Sequence, residues 1–209
     1  MRKKIIVVLA ILFVLVSGGG YCMTKWIEYQ NSPYNVSDVL DDKGVKLYKR
    51  GFRLLEEQLA TYIKEHYSGI GKIEFSPIFV QGGDGQTMFD ANIVPVIYDN
   101  HGNKAYLGRK VDKHGYASYG LLGDLRLDFN GFDEEVIEID VDGKFLDITN
   151  YKSLPPKAKL TINPAMDENI EALVKDGQLK DVVKNEKGSL EAEVAYNTEI
   201  RKGNEWEWR

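Results

Sequence analysis

The sequence is poor in cysteine and histidine. Its 209 residues include one cysteine, Cys22, and three histidines, His66, His101 and His114. A lone cysteine excludes an intrachain disulfide, so we expect the fold to be held together by core packing alone. No two histidines have the H-x-x-x-H spacing of a helical metal site, and we predict no cofactor.

An excess of positive charge is also missing. The chain has 27 Lys and Arg against 32 Asp and Glu, a net charge of -5, although Arg2, Lys3 and Lys4 add positive charge at its start. Nucleic-acid binding without sequence preference needs a basic surface to neutralise phosphates, so we expect no nucleic-acid partner. The same charge disfavours a domain that lies flat on anionic lipid.

Signatures of nucleotide binding and of hydrolysis are lacking as well. The loop Gly82-Gly83-Asp84-Gly85-Gln86 leads into a predicted strand, whereas phosphate-binding glycine loops lead into a helix. Around Ser118 the first glycine lies one residue too early for the G-x-S-x-G motif of hydrolases. We therefore predict that the protein is not an enzyme. The alternative is an exported hydrolase with a nonstandard site at His114, Ser118 and nearby carboxylates.

Three acidic residues, Glu138, Asp140 and Asp142, alternate along one face of a predicted strand. Carboxylates so placed could bind Ca²⁺, but the EF-hand register fails because Glu138 falls at position one and Thr149 at position twelve. Alternation alone also predicts a solvated polar face. The sequence favours the polar face and leaves cation binding open.

The chain begins with the layout of an exported protein. Arg2, Lys3 and Lys4 precede an uncharged run, residues 5–24, that is long enough to span a membrane. The positive-inside rule places the N-terminus in the cytoplasm and the remainder outside. Three fates are open: an uncleaved anchor, cleavage near Ser17 and Gly19 with secretion, or lipidation at Cys22, although Tyr21 is a poor neighbour for a lipidated cysteine.

The remainder has the size and pattern of one domain. We predict a membrane anchor or signal segment at residues 1–25, a stalk at 26–37 and an extracytoplasmic domain at 38–209. An apolar stripe at alternating steps of three and four predicts an amphipathic helix from about Val45 to Tyr67, with Glu56 on its polar side.

Strands and turns follow that helix. Pro77 predicts an edge or a bulge in the first strand, and Asp142-Gly143 predicts a tight hairpin turn. A short strand is expected at residues 160–162. The fold class is therefore α+β: a long N-terminal amphipathic helix packed on a curved antiparallel sheet, cystatin-like by analogy, after a transmembrane or signal segment.

Aromatic residues supply the candidate interaction surface. Residues of this type are enriched where proteins meet partners. The candidates are Tyr106, Tyr116, Tyr119, Trp206 and Trp208.

The chain resembles small, N-terminally membrane-anchored or lipoprotein-like cell-envelope proteins of unknown function from Gram-positive bacteria. The resemblance rests on layout and on two stretches, MRKKIIVVLAILFVLVSGGG and IEFSPIFV. It implies a membrane location and transfers no functional residue. With the absence of catalytic motifs, it predicts a membrane-tethered extracytoplasmic binding or protein-interaction module; an inhibitor or immunity-type protein is a further alternative.

Overall fold

The computed structural model describes residues 25–83, 87–121 and 123–208. The predicted membrane segment at residues 5–24, with Cys22, lies outside these ranges. The chain divides into two compact units, Met1–Asn35 and Val36–Arg209. In the first, residues 25–30 are helical and a turn follows, in which the Asn31 N–H donates to the Ile27 carbonyl.

Within the described ranges, no helix combines the length and the apolar character needed to cross a membrane.

The long helix of the second unit, α1, spans Asp42–His66. It begins where the Asp41 side chain accepts a hydrogen bond from the Gly44 N–H at 2.7 Å, which satisfies one of the free donors of a helix start. Gly51 lets the helix approach the sheet closely, since a Cβ there would lie 2.4 Å from the Cδ2 of Leu127. This helix contains the apolar stripe seen in the sequence.

The described strands of the second unit have the following bounds: β1 Tyr67–Ser68, β2 Ile70–Phe75, β3 Ile78–Gln81, β4 Asp90–Ile93, β5 Pro95–Asp99, β6 Lys104–Tyr106, β7 Tyr119–Gly120, β8 Leu125–Phe129, β9 Glu135–Val141, β10 Lys144–Asp147, β11 Val183–Lys184, β12 Glu193–Ala195 and β13 Ile200–Lys202. Together with the helices they confirm the α+β class. The second α-helix, α2, spans Pro164–Lys175, and short 3₁₀ turns lie at Pro156–Ala158 and Glu205–Glu207.

The chain forms two four-stranded sheets and crosses from one to the other more than once. Their strand orders are β12-β2-β5-β6 and β13-β3-β4-β7. The chain passes between the sheets at Ser76-Pro77 and again at Val94. There the Ser76 N–H donates to the Val94 carbonyl at 3.1 Å, and the Val94 N–H donates to the Ser76 Oγ at 2.8 Å. The edge or bulge predicted at Pro77 is therefore wrong: β2 ends at Phe75 and β3 begins at Ile78, and both are interior strands of their sheets. Proline cannot donate to a strand ladder, which fits a break between strands at this point.

The prediction of one curved antiparallel sheet is wrong. The described strands form four sheets, and β12 and β13 pair in parallel with β2 and β3. Parallel neighbours require a long connection, and here the chain reaches the sheet edge only after passing through α2. Local turn residues carry no information about such a pairing.

The smaller sheets contain the hairpins. Strands β8, β9 and β10 form an antiparallel sheet, and β1 pairs with β11. The turn predicted at Asp142-Gly143 is confirmed, with φ angles of 52° and 87°. The strand predicted at residues 160–162 is absent, because the Asp142 carboxylate accepts the backbone N–H groups of Thr161 and Ile162 at 3.0 and 3.2 Å.

One carboxylate joins the end of α1 to α2 and β11. The hydroxyls of Tyr62 and Tyr67 donate to Asp167 at 2.9 and 2.6 Å, and the Lys184 ammonium lies 2.6 Å from the same carboxylate. Charged hydrogen bonds of this kind are among the stronger ones in proteins. The cluster therefore fixes the C-terminal end of α1.

Glu56 is buried, although the helical pattern predicts it on the polar side of α1. It has 0 % exposure, and one carboxylate oxygen accepts the Asn197 N–H at 3.1 Å while the other has no partner. Burial raises the pKa of this carboxyl to about 8, against smaller opposing effects of the Asn197 hydrogen bond and Arg53. The prediction was wrong because residues from the C-terminal segment cover this side of the helix.

The buried Glu56 makes stability depend on pH. Its pKa is about 8 when folded, above its ordinary value of 4.5. The folded state therefore retains a proton that the unfolded chain releases, and stability falls as pH rises through this interval. We expect Glu56→Gln to be more stable than the wild type by about 4 kcal/mol near pH 8 and by less than about 1 kcal/mol near pH 5.

Chemical denaturation of both proteins across this pH range measures the effect. The matched control is Glu191→Gln, which removes an exposed carboxylate. The same pH dependence in Glu56→Gln as in the wild type would contradict the assignment.

Candidate functional site

Two adjacent cavities form the candidate site. Their volumes are about 620 Å³ and about 490 Å³, and Leu121 lines both. We call them together the Leu121 groove. The first is lined by Gln81, Gly82, Thr87, Met88, Phe89, Asp90, Asn92, Ser118, Leu121, Glu205 and Trp206, and the second by Leu121, Leu125, Arg126, Leu127, Asp128, Phe129, Asn130, Val136 and Glu138.

One wall of the groove is formed by residues 81–82 and 87–90. Gly82 has a φ of 73°, and a Cβ there would lie 2.2 Å from the Met88 carbonyl oxygen, so this close approach requires glycine. Phe89 packs edge-on against Tyr48 of α1, with ring centroids 5.6 Å apart. The helix therefore supports the wall from behind.

The C-terminal 3₁₀ turn forms the opposite wall. Arg109 donates from Nη2 to the carbonyl of Glu205 at 2.9 Å and to that of Trp208. The Ser118 hydroxyl donates to the Glu205 carboxylate at 2.9 Å. Trp208 packs edge-on against Tyr106, with ring centroids 5.8 Å apart. These contacts hold the turn against the segment between β6 and β7 and place Trp206 at the groove.

Apolar side chains are exposed at the mouth of the groove. Met88 is 79 % exposed and Trp206 is 45 % exposed, and both line the first cavity. Large exposed apolar side chains next to a cavity are typical of binding surfaces.

Each cavity is lined by an aspartate that accepts hydrogen bonds from neutral donors, Asp90 in the first and Asp128 in the second. Asp90 accepts from the Ala91 N–H at 2.9 Å and the Asn92 amide at 2.7 Å. Asp128 accepts from the Phe129 N–H at 2.7 Å. Burial, followed by the charges of Asp128 and Asp90, raises the pKa of Tyr48 to about 12. Each cavity therefore contributes one carboxylate whose charge acts on Tyr48.

The structure brings together part of the predicted aromatic set. Tyr106 and Trp208 contact each other, and Trp206 lies at the groove. Tyr119 is only 6 % exposed and belongs to the core. Tyr116 packs against His114, with ring centroids 4.7 Å apart. Cys22, the candidate lipidation residue, lies outside the described residues.

The residues of the two alternative chemistries contact other parts of the described chain. Ser118 hydrogen-bonds to Glu205, whereas His114 contacts Tyr116. Of the acidic strand residues, Asp142 binds the backbone of Thr161 and Ile162. Across residues 25–83, 87–121 and 123–208, no group of three or more His, Cys, Asp or Glu side chains is placed to hold a metal ion.

Sequence reasoning missed Met88, Asp90 and Glu205. Met88 and Phe89 were expected inside a strand, but β4 begins at Asp90. Their position directly after a glycine-rich loop is the local signal that could have identified them as surface residues. Glu205 offers no local signal, because its role depends on docking against Ser118.

Comparison of the chain with family models, with curated proteins and with solved structures finds no match.

Arg109 is expected to hold the C-terminal 3₁₀ turn in place. Arg109→Met removes the donors to the Glu205 and Trp208 carbonyls, so we expect residues 203–208 to exchange amide hydrogen roughly tenfold faster. Hydrogen exchange followed by mass spectrometry measures this. The control is Lys110→Met, which removes an exposed neighbouring cation. Equal acceleration in both variants, or none in Arg109→Met, would show that Arg109 does not hold the turn.

Proposed function

We propose that the protein is a membrane-tethered extracytoplasmic binding module whose binding surface is the Leu121 groove. It acts by binding another molecule and not by catalysis. In this proposal it belongs with the small, N-terminally anchored or lipoprotein-like cell-envelope proteins of Gram-positive bacteria. Residues 5–24 hold it at the membrane, with the N-terminus cytoplasmic.

The location is supported by the pattern of charge at the start of the chain. Arg2, Lys3 and Lys4 precede the uncharged run of residues 5–24, and Lys25 follows it. A span of about 20 residues fits the hydrocarbon core of a bilayer, and the basic cluster favours the cytoplasmic side.

The observation that carries the proposal is the exposed apolar mouth of the groove. Met88 and Trp206 flank a cavity of about 620 Å³, within the range of ligand-binding sites. Exposing such side chains to water is unfavourable, by about 25 cal/mol for each Å² of apolar surface. A partner that covers them recovers this free energy.

Site-specific photo-crosslinking tests the binding surface. A photo-reactive benzoylphenylalanine replaces Met88 in the full chain, produced in a Gram-positive host. We expect a discrete crosslinked product in the envelope fraction. The control position is Phe132, which is 87 % exposed but does not line the groove. Absence of a product at Met88, or the same product from Phe132, would reject the groove as the binding surface.

The attachment to the membrane is tested by the mass of the mature protein. We expect the membrane fraction to contain the chain with residues 1–25 intact, because the uncharged run is long enough for a span. A shortened mass in the medium would indicate cleavage. A mass increase that Cys22→Ser abolishes would indicate lipidation. Replacing residues 5–24 with a soluble linker should release the protein from membranes.

A further inference from the structure

The carboxylates of the Leu121 groove outnumber its cations. Asp90 and Glu205 line the first cavity, and Asp128 and Glu138 line the second. Among the described lining residues the one cation is Arg126, which lies 3.9 Å from Glu138. Apolar walls around a cleft of one charge sign focus its field and concentrate ions of opposite sign. The groove therefore attracts positively charged groups.

Tyr48 lies where the charges of Asp90 and Asp128 both act. Its ring contacts Phe89 of the first cavity, and both Asp90 and Asp128 raise its pKa in addition to burial. Asp90 lines the first cavity and Asp128 lines the second. A ligand seated across Leu121 experiences both of them.

The apolar mouth complements this charge. Trp206 presents an aromatic surface, and the face of an indole ring attracts ammonium and guanidinium groups. Met88 is flexible and polarizable, and such side chains adapt to partners of varied shape. The groove thus combines contacts for cations with contacts for apolar groups.

Resting on the function proposed above, we propose that the Leu121 groove binds an extended polypeptide segment that carries lysine or arginine side chains between apolar ones. Each cavity by itself has the volume of a small-molecule site, so one small organic cation would leave the other empty. Charge divided between two cavities suits several cations spaced along a chain. Anionic lipid headgroups would be repelled.

Peptide binding to the full chain in phosphatidylcholine nanodiscs tests this. The probe is a fluorescent peptide of about eight residues that alternates lysine and leucine, long enough to extend across both cavities. One comparison peptide has glutamate for lysine, and another has serine for leucine. We expect the lysine-leucine peptide to bind at least about tenfold more tightly than either, and to weaken as salt rises from about 50 to about 500 mM.

Paired variants separate groove binding from general attraction to an acidic protein. Asp90→Asn with Asp128→Asn should weaken lysine-leucine binding at least about fivefold. The control, Glu186→Gln with Glu191→Gln, changes net charge equally at exposed sites outside the groove and should leave the affinity unchanged. Thermal unfolding confirms that each variant is folded. Asp128→Asn alone is a second variant, which leaves Asp90 at the start of β4 unchanged.

Several results would overturn the proposal. They are equal affinity of the two double variants, lysine-leucine binding no tighter than glutamate-leucine binding, or binding of phosphatidylglycerol vesicles in place of peptide. The Met88 crosslink separates failure of the proposed ligand class from failure of the proposed binding function. If the crosslink forms while cationic peptides do not bind, the ligand class is wrong and the binding function stands.

Discussion

The pairing of residues 193–202 with residues 70–81 is the constraint on which most of this structure depends. Strands β12 and β13 lie parallel to β2 and β3, and between them the Glu199 carbonyl accepts the Ile78 N–H at 2.7 Å. In the same segment, Tyr196 stacks on Phe75, and Asn197 donates to the buried Glu56. The pairing therefore completes the sheet edge and brings the segment that contacts the buried Glu56 against α1.

The candidate site depends on the same pairing. Strand β13 leads directly into the turn that carries Glu205 and Trp206, and the Gly203 N–H donates to the Val80 carbonyl at 3.1 Å. The turn is thus positioned from one side by the sheet and from the other by Arg109 and Ser118. The groove is an assembled surface, formed by segments that are far apart in sequence.

Features set by neighbouring residues were predictable from the sequence, and those set by distant pairings were not. The turn at Asp142-Gly143 follows from local backbone preferences. At Pro77 these preferences indicate an interruption of the strand, but not that the chain passes there from one sheet to another. The apolar stripe of α1 follows from helical periodicity. The burial of Glu56 and the parallel edge follow from segments that arrive from elsewhere in the chain. Trp206 was identified by residue type alone, whereas the carboxylates of the groove meet only in the folded state.

The parallel edge also determines when the Leu121 groove is completed during synthesis. A chain is synthesised from its N-terminus, so β3 is complete long before β13 exists to pair with it. Until then β3 presents an unpaired strand edge, which favours association with other chains. The same late event delivers Trp206 to its wall of the groove. A partly synthesised chain consequently has an aggregation-prone edge and an incomplete Leu121 groove, and the docking of residues 193–206 covers the edge and completes the groove.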